Sequence, residues 1–404
     1  MRLVEQHRIS QNDPRYRIIN AACFASKNLY NAANYIVRQS FIHNHIYLGY
    51  AEVYHHIKMH EAYKALPAKV ANDVLRLLDK NWRSFFKAIK AWEIDPSQFL
   101  GRPKLPGYKD KLKGRNILIY DIQALSKPAL KQGIVKPSML GIEVETKQTN
   151  VAQARIIPRN GFYVVEVVYE RDAVQAEVNS SLIASVDIGV NNLVALTSNK
   201  SGFIPQLVNG RPIKSINQFY NKQRERLQKK MRKDHYTSHQ LDRITNKRTR
   251  RIDHYMHTTS KRLIDLLVAE GIGTLVIGKN PNWKQEAPMR KKDNQHFVQL
   301  PHARFIDMLC YKATLVGIDI ILQEESYTSK ASFLDLDPIP TYGDVDSPPV
   351  FSGKRVKRGM YKTADGHKIN ADVNGSYNIM RKASPNVFDN GVEGAAVHPV
   401  RFAV

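Results

Sequence analysis

This chain of 404 residues has only two cysteines, Cys23 and Cys310, far apart in sequence. Two thiols support neither a disulfide framework nor a thiolate zinc site, so both are expected in the core of a protein from a reducing compartment. Long apolar runs are missing as well. No window approaches the ~18 apolar residues of a membrane span, and Met1-Arg2-Leu3-Val4-Glu5 leads into charged sequence, not a signal peptide. Acids are scarce: 37 Asp and Glu face 61 Lys and Arg, a formal net charge of +24. That surplus exceeds what solubility requires. It points to a polyanionic partner, nucleic acid before a membrane surface or a ribosome. A hydrophobic fraction of 43% excludes a disordered chain and supplies two or three domains with real cores.

With so few acids, their positions carry information. Ser185-Val186-Asp187-Ile188-Gly189-Val190-Asn191-Asn192-Leu193 reads as a β-hairpin whose first strand ends in a carboxylate. Turn residues stand where φ > 0 is expected. Asp372, in Asn370-Ala371-Asp372-Val373-Asn374-Gly375-Ser376-Tyr377-Asn378, opens a helix that places Asn374 and Asn378 one turn apart on one face. Strand 318–322 runs into Glu324-Glu325, and alternation allows only one of the two to face a site. Two-metal nucleases need acidic ligands converging within a few Å, where the ions clamp the attacking and leaving oxygens of a phosphodiester. The alternatives are structural: Asp187 as a turn cap, Asp372 as an N-cap, the glutamates as a solvated strand end.

The basic residues are grouped. Arg102, Lys104 and Lys109 crowd a loop, 101–109, that two prolines and two glycines keep irregular. It is a linker or a track for a phosphate backbone. Residues 211–262 read as very basic helix, with sixteen Lys and Arg against four acids. Within it, Lys222, Arg224, Arg226, Lys229, Lys230, Arg232 and Lys233 face a single acid, Glu225. Such a run repels itself unless phosphates neutralise it. Elsewhere, residues 14–93 carry helical periodicity, with Trp82, Phe85 and Phe86 at core spacing rather than as base-stacking rings. Residues 1–10 and 115–172 look β-rich. A change of character near Asn179 marks a boundary, and the tail after Ser384 looks irregular.

Taken together these motifs resemble TnpB (OrfB), the RNA-guided nuclease of insertion sequences related to type V CRISPR effectors and to Fanzor. Gly101-x-Pro103-Lys104-x-Pro106 looks like the family's N-terminal half. Val186-Asp187-Ile188-Gly189-Val190-Asn191-Asn192 looks like its first RuvC motif, Thr328-Ser329-Lys330 like its Ser/Thr-Ser-Lys signature, and Ala371 to Ile379 like its third RuvC motif. The resemblance implies an α/β RNase H-like (RuvC) domain over 179–404, with a basic helical insertion at 211–262. It would be preceded by a β-barrel wedge (1–12 and 101–178) holding a helical recognition lobe (13–100). It implies a guide RNA, target double-stranded DNA, and cleavage with magnesium, two ions or manganese in their place, by Asp187, Glu325 and Asp372. Asn374 and Asn378 would support that site. Lys330, Lys354 and Arg355 would join the basic residues above on nucleic acid. A monomer in a prokaryotic cytoplasm, at the nucleoid when on DNA, completes the expectation.

Two departures from the family stand out. Its usual glutamate follows a Val-Ile pair, but here Val276-Ile277 is followed by Gly278. Fanzor-like relatives carry a glutamate three residues before Thr-Ser-Lys, and Glu325 fits that spacing, with Glu324 as reserve. Relatives also hold zinc by two Cys-x-x-Cys pairs, whereas 331–371 contains no cysteine. A basic loop, Lys354 to Arg358, is expected there and no zinc. Two alternatives remain: RNA-guided DNA binding with weak or no cleavage, and an unguided RuvC-like nuclease or transposase.

Overall fold

The computed structural model describes residues 1–404 except 232–235, 281–290, 342, 344–348, 358 and 390–396, and for 291–293 the backbone alone. The chain divides into two compact units, Met1–Arg171 and Asp172–Val404. The boundary expected at 178/179 lies earlier because 172–178 already belongs to the second unit: Val174 and Ala176 donate to the carbonyls of Leu315 and Val316.

The first unit runs β1 (Arg2–Ser10), α1 (Arg15–Asn44), α2 (Tyr50–Ile57), α3 (Glu61–Lys64), α4 (Ala68–Ile94), β2 (Leu118–Asp121), α5 (Lys127–Lys131), β3 (Ile134–Val135), β4 (Val144–Glu145), β5 (Val151–Arg159) and β6 (Phe162–Glu170). Helix α4 buries Val70, Val74, Leu75, Leu78 and Trp82 along one stripe, and the Trp82 indole donates to Asn34 of α1 at 3.0 Å. That hydrogen bond and full burial make Trp82 a core residue, with Phe85 and Phe86 packed at its side. The long strands pair antiparallel in the order β1-β6-β5-β2. Among the described residues no ladder joins β1 to β2, so they form an open sheet and not the closed barrel expected. The 101–109 loop is no free linker. Asn31, Asn34 and Arg38 of α1 donate to the carbonyls of Lys109 and Pro106. This leaves Arg102 and Lys104 exposed and Lys109 half-buried over the Tyr30 ring.

The second unit runs β7 (Asn179–Asp187), β8 (Asn192–Ser198), β9 (Gln206–Asn209), α6 (Arg211–Lys229), α7 (His239–Ala269), β10 (Ile272–Gly278), α8 (Lys291–Gln299), α9 (His302–Leu315), β11 (Asp319–Gln323), β12 (Lys354–Lys357), β13 (Met360–Lys362), β14 (Lys368–Asn370), α10 (Ala371–Ala383) and β15 (Val400–Phe402). Six strands form one mixed sheet, β11-β10-β7-β8-β9-β15. β7, β10 and β11 are mutually parallel, while β7, β8 and β9 are antiparallel in sequence. β10, Ile-Gly-Thr-Leu-Val-Ile-Gly, is buried throughout, as a parallel strand covered on both faces must be.

Three expectations change here. The basic insertion is two helices, and α7 continues to Ala269, buried along Ile252, Met256, Leu263 and Leu267. The tail is not irregular to its end: β15 adds a sixth strand in parallel with β9. The stretch Lys354–Lys357 is no loop but the first strand of a three-stranded antiparallel sheet, β12-β13-β14.

Candidate active site

Parallel strands end on one edge, and here that edge gathers the acids. Val186 pairs with Ile277 and Gly278 with Gln323, so Asp187, Gly278 and the start of Glu324-Glu325 lie level at the carboxyl ends of β7, β10 and β11. Ligand sites of open α/β sheets collect at this edge. The hairpin turn after Asp187 does not use left-handed backbone at Gly189, Asn191 or Asn192. Gly189 is required for another reason: a Cβ there would sit 2.7 Å from the Asn192 carbonyl oxygen.

Helix α10 brings Asp372 and closes on Asp187. Its N-cap is Asn370, whose side chain accepts from the amides of Asp372 and Val373. Asp372, in the first turn, is thereby released from capping and sits where the helix dipole favours an anion. Ser185, Thr197 and Ser376 form a buried hydroxyl cluster, with Ser185 Oγ donating to the Ser376 carbonyl at 2.6 Å, which fastens α10 onto β7 and β8. The contact is so close that a Cβ on Gly375 would lie 2.8 Å from the Asp187 carboxylate.

Glu325 reaches the same place from β11. The chain turns sharply after it through Tyr327, which holds φ at 65°, uncommon for a bulky side chain. Thr328 Oγ1 donates to the Glu325 carbonyl at 2.9 Å and the Glu325 amide donates to Asn280 Oδ1 at 3.0 Å. The glutamate carboxylate then enters the space beside Gly278: an ideal Cβ on Gly278 would collide with it and meet Ile379 at 2.7 Å. The position where the resembled family carries its glutamate is thus filled by the carboxylate of Glu325. Glu324 goes elsewhere. Its carboxylate pairs with Lys382 and accepts from the Ser326 amide. Burial pushes Glu324 up, but those hydrogen bonds outweigh it and hold its carboxyl below the ordinary value.

The electrostatics follow. Burial pushes Asp187 well above the usual carboxylate range, and Glu325 and Asp372 add to that push while Arg355 opposes it. Glu325 is raised to about 7, by burial first and by Glu324 second. Asp372 is engaged on both oxygens: Asn192 Nδ2 donates to one at 2.7 Å and Arg355 lies 3.6 Å from the other. Among the described residues no three His, Cys, Asp or Glu side chains are gathered closely enough to hold a metal ion as they stand. The donor set still suits a hard divalent cation. It is all carboxylate oxygen, and the burial and like charges that raise Asp187 and Glu325 are penalties on the charged carboxylate that a bound cation would offset.

Other residues expected around the site act at one remove from the acids. Asn374 accepts from the Phe333 amide and donates to the Ala331 carbonyl, and Asn378 donates to the carbonyls of Thr328 and Ala331. Both are fully buried and tie the turn carrying Glu325 to α10 without facing the acids. Lys330, Lys354 and Arg355 are exposed, as are Lys222, Arg224, Arg226, Lys229 and Lys230 along α6. Arg232, Lys233 and Arg358 lie outside the described residues. Sequence reading missed Asn280, the partner of Glu325, and Asn192 as the partner of Asp372. The second asparagine of the hairpin motif was the available signal.

Comparison with known proteins finds likenesses in sequence and in fold. Residues 163–284 match the OrfB_IS605 family, described as Probable transposase, and residues 302–379 match the family Cas12f1-like, TNB domain. A relative from Acidianus two-tailed virus, TnpB-like protein ORF457, is 25% identical over 416 residues, covering 93% of this chain and 85% of its own. The solved Cas12f1-sgRNA-target DNA complex shares the fold at a TM-score of 0.54 with 15% identity, covering 90% of this chain and 81% of that one. These matches make the chain similar to the TnpB-type proteins in sequence and to a type V effector in fold.

Proposed function

We propose that this chain is an RNA-guided DNA endonuclease of an insertion sequence, cutting target DNA with Asp187, Glu325 and Asp372. The observation that carries the reading is the convergence of these three carboxylates at the ends of β7 and β11 and the start of α10, where Asp187 feels both partners. Bound there, magnesium would polarise the scissile phosphate and activate a water. Asp187 and Glu325 supply hard oxygen ligands from rigid strand ends, and α10 holds Asp372 in its first turn. The surplus of +24 suits a guide RNA and a heteroduplex, which expose many phosphates. Arg102, Lys104 and the exposed basic row of α6 are the residues assigned to those phosphates. The first unit, with its helices and open sheet, takes the part of recognition lobe and wedge.

One observation favours a second reading, RNA-guided binding without cutting. Both oxygens of Asp372 are engaged, by Asn192 and by Arg355, and these contacts compete with a cation for them. The test is to co-purify the protein with RNA from its native locus and offer a plasmid library with randomised flanks and magnesium. Guided cuts beside one short motif are expected. Bound RNA with intact plasmid would leave the second reading. Cutting without bound RNA would leave an unguided nuclease.

A further inference from the structure

A cavity of about 540 Å³ opens beside Asp372. That lies within the ~300–1,000 Å³ range of small-ligand sites, room for about one nucleotide. Its wall includes Asn191 in the turn after β7, Asn209 at the end of β9, Arg211 at the start of α6, Arg355 of β12 and Arg401 of β15. Three guanidiniums therefore meet one carboxylate. Arg355 is turned to that carboxylate, Asp372. Arg211 and Arg401 are exposed, and their side chains have no hydrogen-bond or ion-pair partner among the described residues. Cationic forks drawn into one concavity repel each other, and a phosphate is the group whose geometry matches them.

Arg401 is not on a loose tail. Val400 donates to Pro205 at 2.9 Å, Arg401 pairs in register with Leu207 of β9, and Arg262 of α7 donates to the Ala403 carbonyl at 3.0 Å. The sheet edge thus presents Arg401 as firmly as a strand presents any side chain. Arg211 is held at its own backbone, which donates to Asn209 Oδ1 at 3.0 Å.

We propose that Arg211 and Arg401 bind a phosphodiester of the DNA strand being cut, next to the carboxylates. The last strand of the chain is then part of the substrate site. The proposal rests on the reading of Asp187, Glu325 and Asp372 as a cutting centre. The ligand is single-stranded DNA, and a free mononucleotide would offer the same phosphate chemistry.

The test uses the full chain with its co-purified RNA and an Asp187→Asn change that prevents cutting. Binding of a labelled single-stranded oligonucleotide unrelated to the guide is followed across salt concentrations. Arg211→Ala and Arg401→Ala should each weaken binding about fivefold and flatten the slope of log K against log salt by about 0.7, one phosphate each. Arg401→Lys should restore the slope but only part of the affinity. Lys261→Ala, which removes the same charge from an ion pair with Asp265 on α7, should leave the slope alone. Thymidine monophosphate should bind weakly and compete only at high concentration. Unchanged slopes in both alanine variants, with unchanged thermal midpoints, would overturn the proposal. So would tight mononucleotide binding that depends on Arg401 while the oligonucleotide is indifferent to it. The two readings fail separately. Altered slopes without guided cutting by the unmodified protein leave the phosphate site standing, whereas guided cutting with unaltered slopes removes the site alone.

Discussion

Two sets of partly or fully buried acids lie in the second unit, and they differ in what surrounds them. In the cysteine-free segment after Lys330, Asp337 accepts from the amides of Ser332 and Ser352, and Asp335 from the Ala364 amide and the Ser352 hydroxyl. Burial works against the Asp335 carboxylate, but hydrogen bonds from Ser332, Ala364 and Ser352 outweigh it and hold it below its ordinary value. A small core of Phe333, Tyr361, Ile369 and Tyr377, with Phe333 stacked on Tyr377 at 4.3 Å, completes the support. At the strand ends, Asp187 and Glu325 have few donors and like charges for neighbours, and both are raised. The same chemical group is saturated by backbone amides in the first set and short of donors in the second, where its perturbed acidity marks a candidate for function. Acidity of composition does not separate the two; donor supply does.

The comparison can be broken first at Asp187. Asp187→Asn should lower guided plasmid cutting by about a thousandfold or more. It should leave the thermal midpoint unchanged or higher, because a buried carboxyl among like charges is removed. A lower midpoint with cutting retained would make Asp187 structural. The neighbouring glutamates sharpen the contrast. Glu325→Gln should cost cutting about a hundredfold or more with little change in stability. Glu324→Gln should instead weaken the hold on Lys382, whose side chain is only 7% exposed, and lower stability by about 2 kcal/mol with cutting preserved. Reversed outcomes would exchange their roles.

Asp337→Ala should destabilise by about 2–3 kcal/mol, since two backbone amides lose their acceptor. Urea unfolding and limited proteolysis within 331–370 would report it. A further effect is in pH. Glu325 is raised from 4.5 to about 7, so between these values the folded protein keeps a proton the unfolded chain has lost. Stability of the magnesium-free protein should therefore fall as pH rises through that window and level off above it. Magnesium should recover stability above pH 7, where the carboxylate is free to ligate. A flat urea midpoint from pH 5 to 8 without metal would count against a proton-sensitive Glu325.

Much of this architecture was legible in the sequence. The hairpin pattern around Asp187 located β7 and β8, helical periodicity located α1 and α4, strand 318–322 is β11, and the Asp187 and Asp372 motifs carried the family resemblance. What was not legible depends on long-range pairing. β15 is three residues long and becomes a strand only because β9 offers it an open edge. The open sheet of the first unit, expected as a barrel, turns on whether β1 meets β2, which no local pattern encodes. Asn374 and Asn378 share a helix face as expected, yet that face meets the turn carrying Glu325 and not the acids.

The chain by itself determined that a basic, thiol-poor protein would carry three acids at element ends, because burial and turn chemistry act on neighbours in sequence. Only the tertiary structure decided which glutamate joins them. β10 ends in a glycine with room beside it, β11 runs parallel in register, and the turn at Tyr327 sends Glu325 into that space while Lys382 draws Glu324 away. A carboxylate's role depends on the groups within a few Å of it, and those come from residues scattered across the whole second unit.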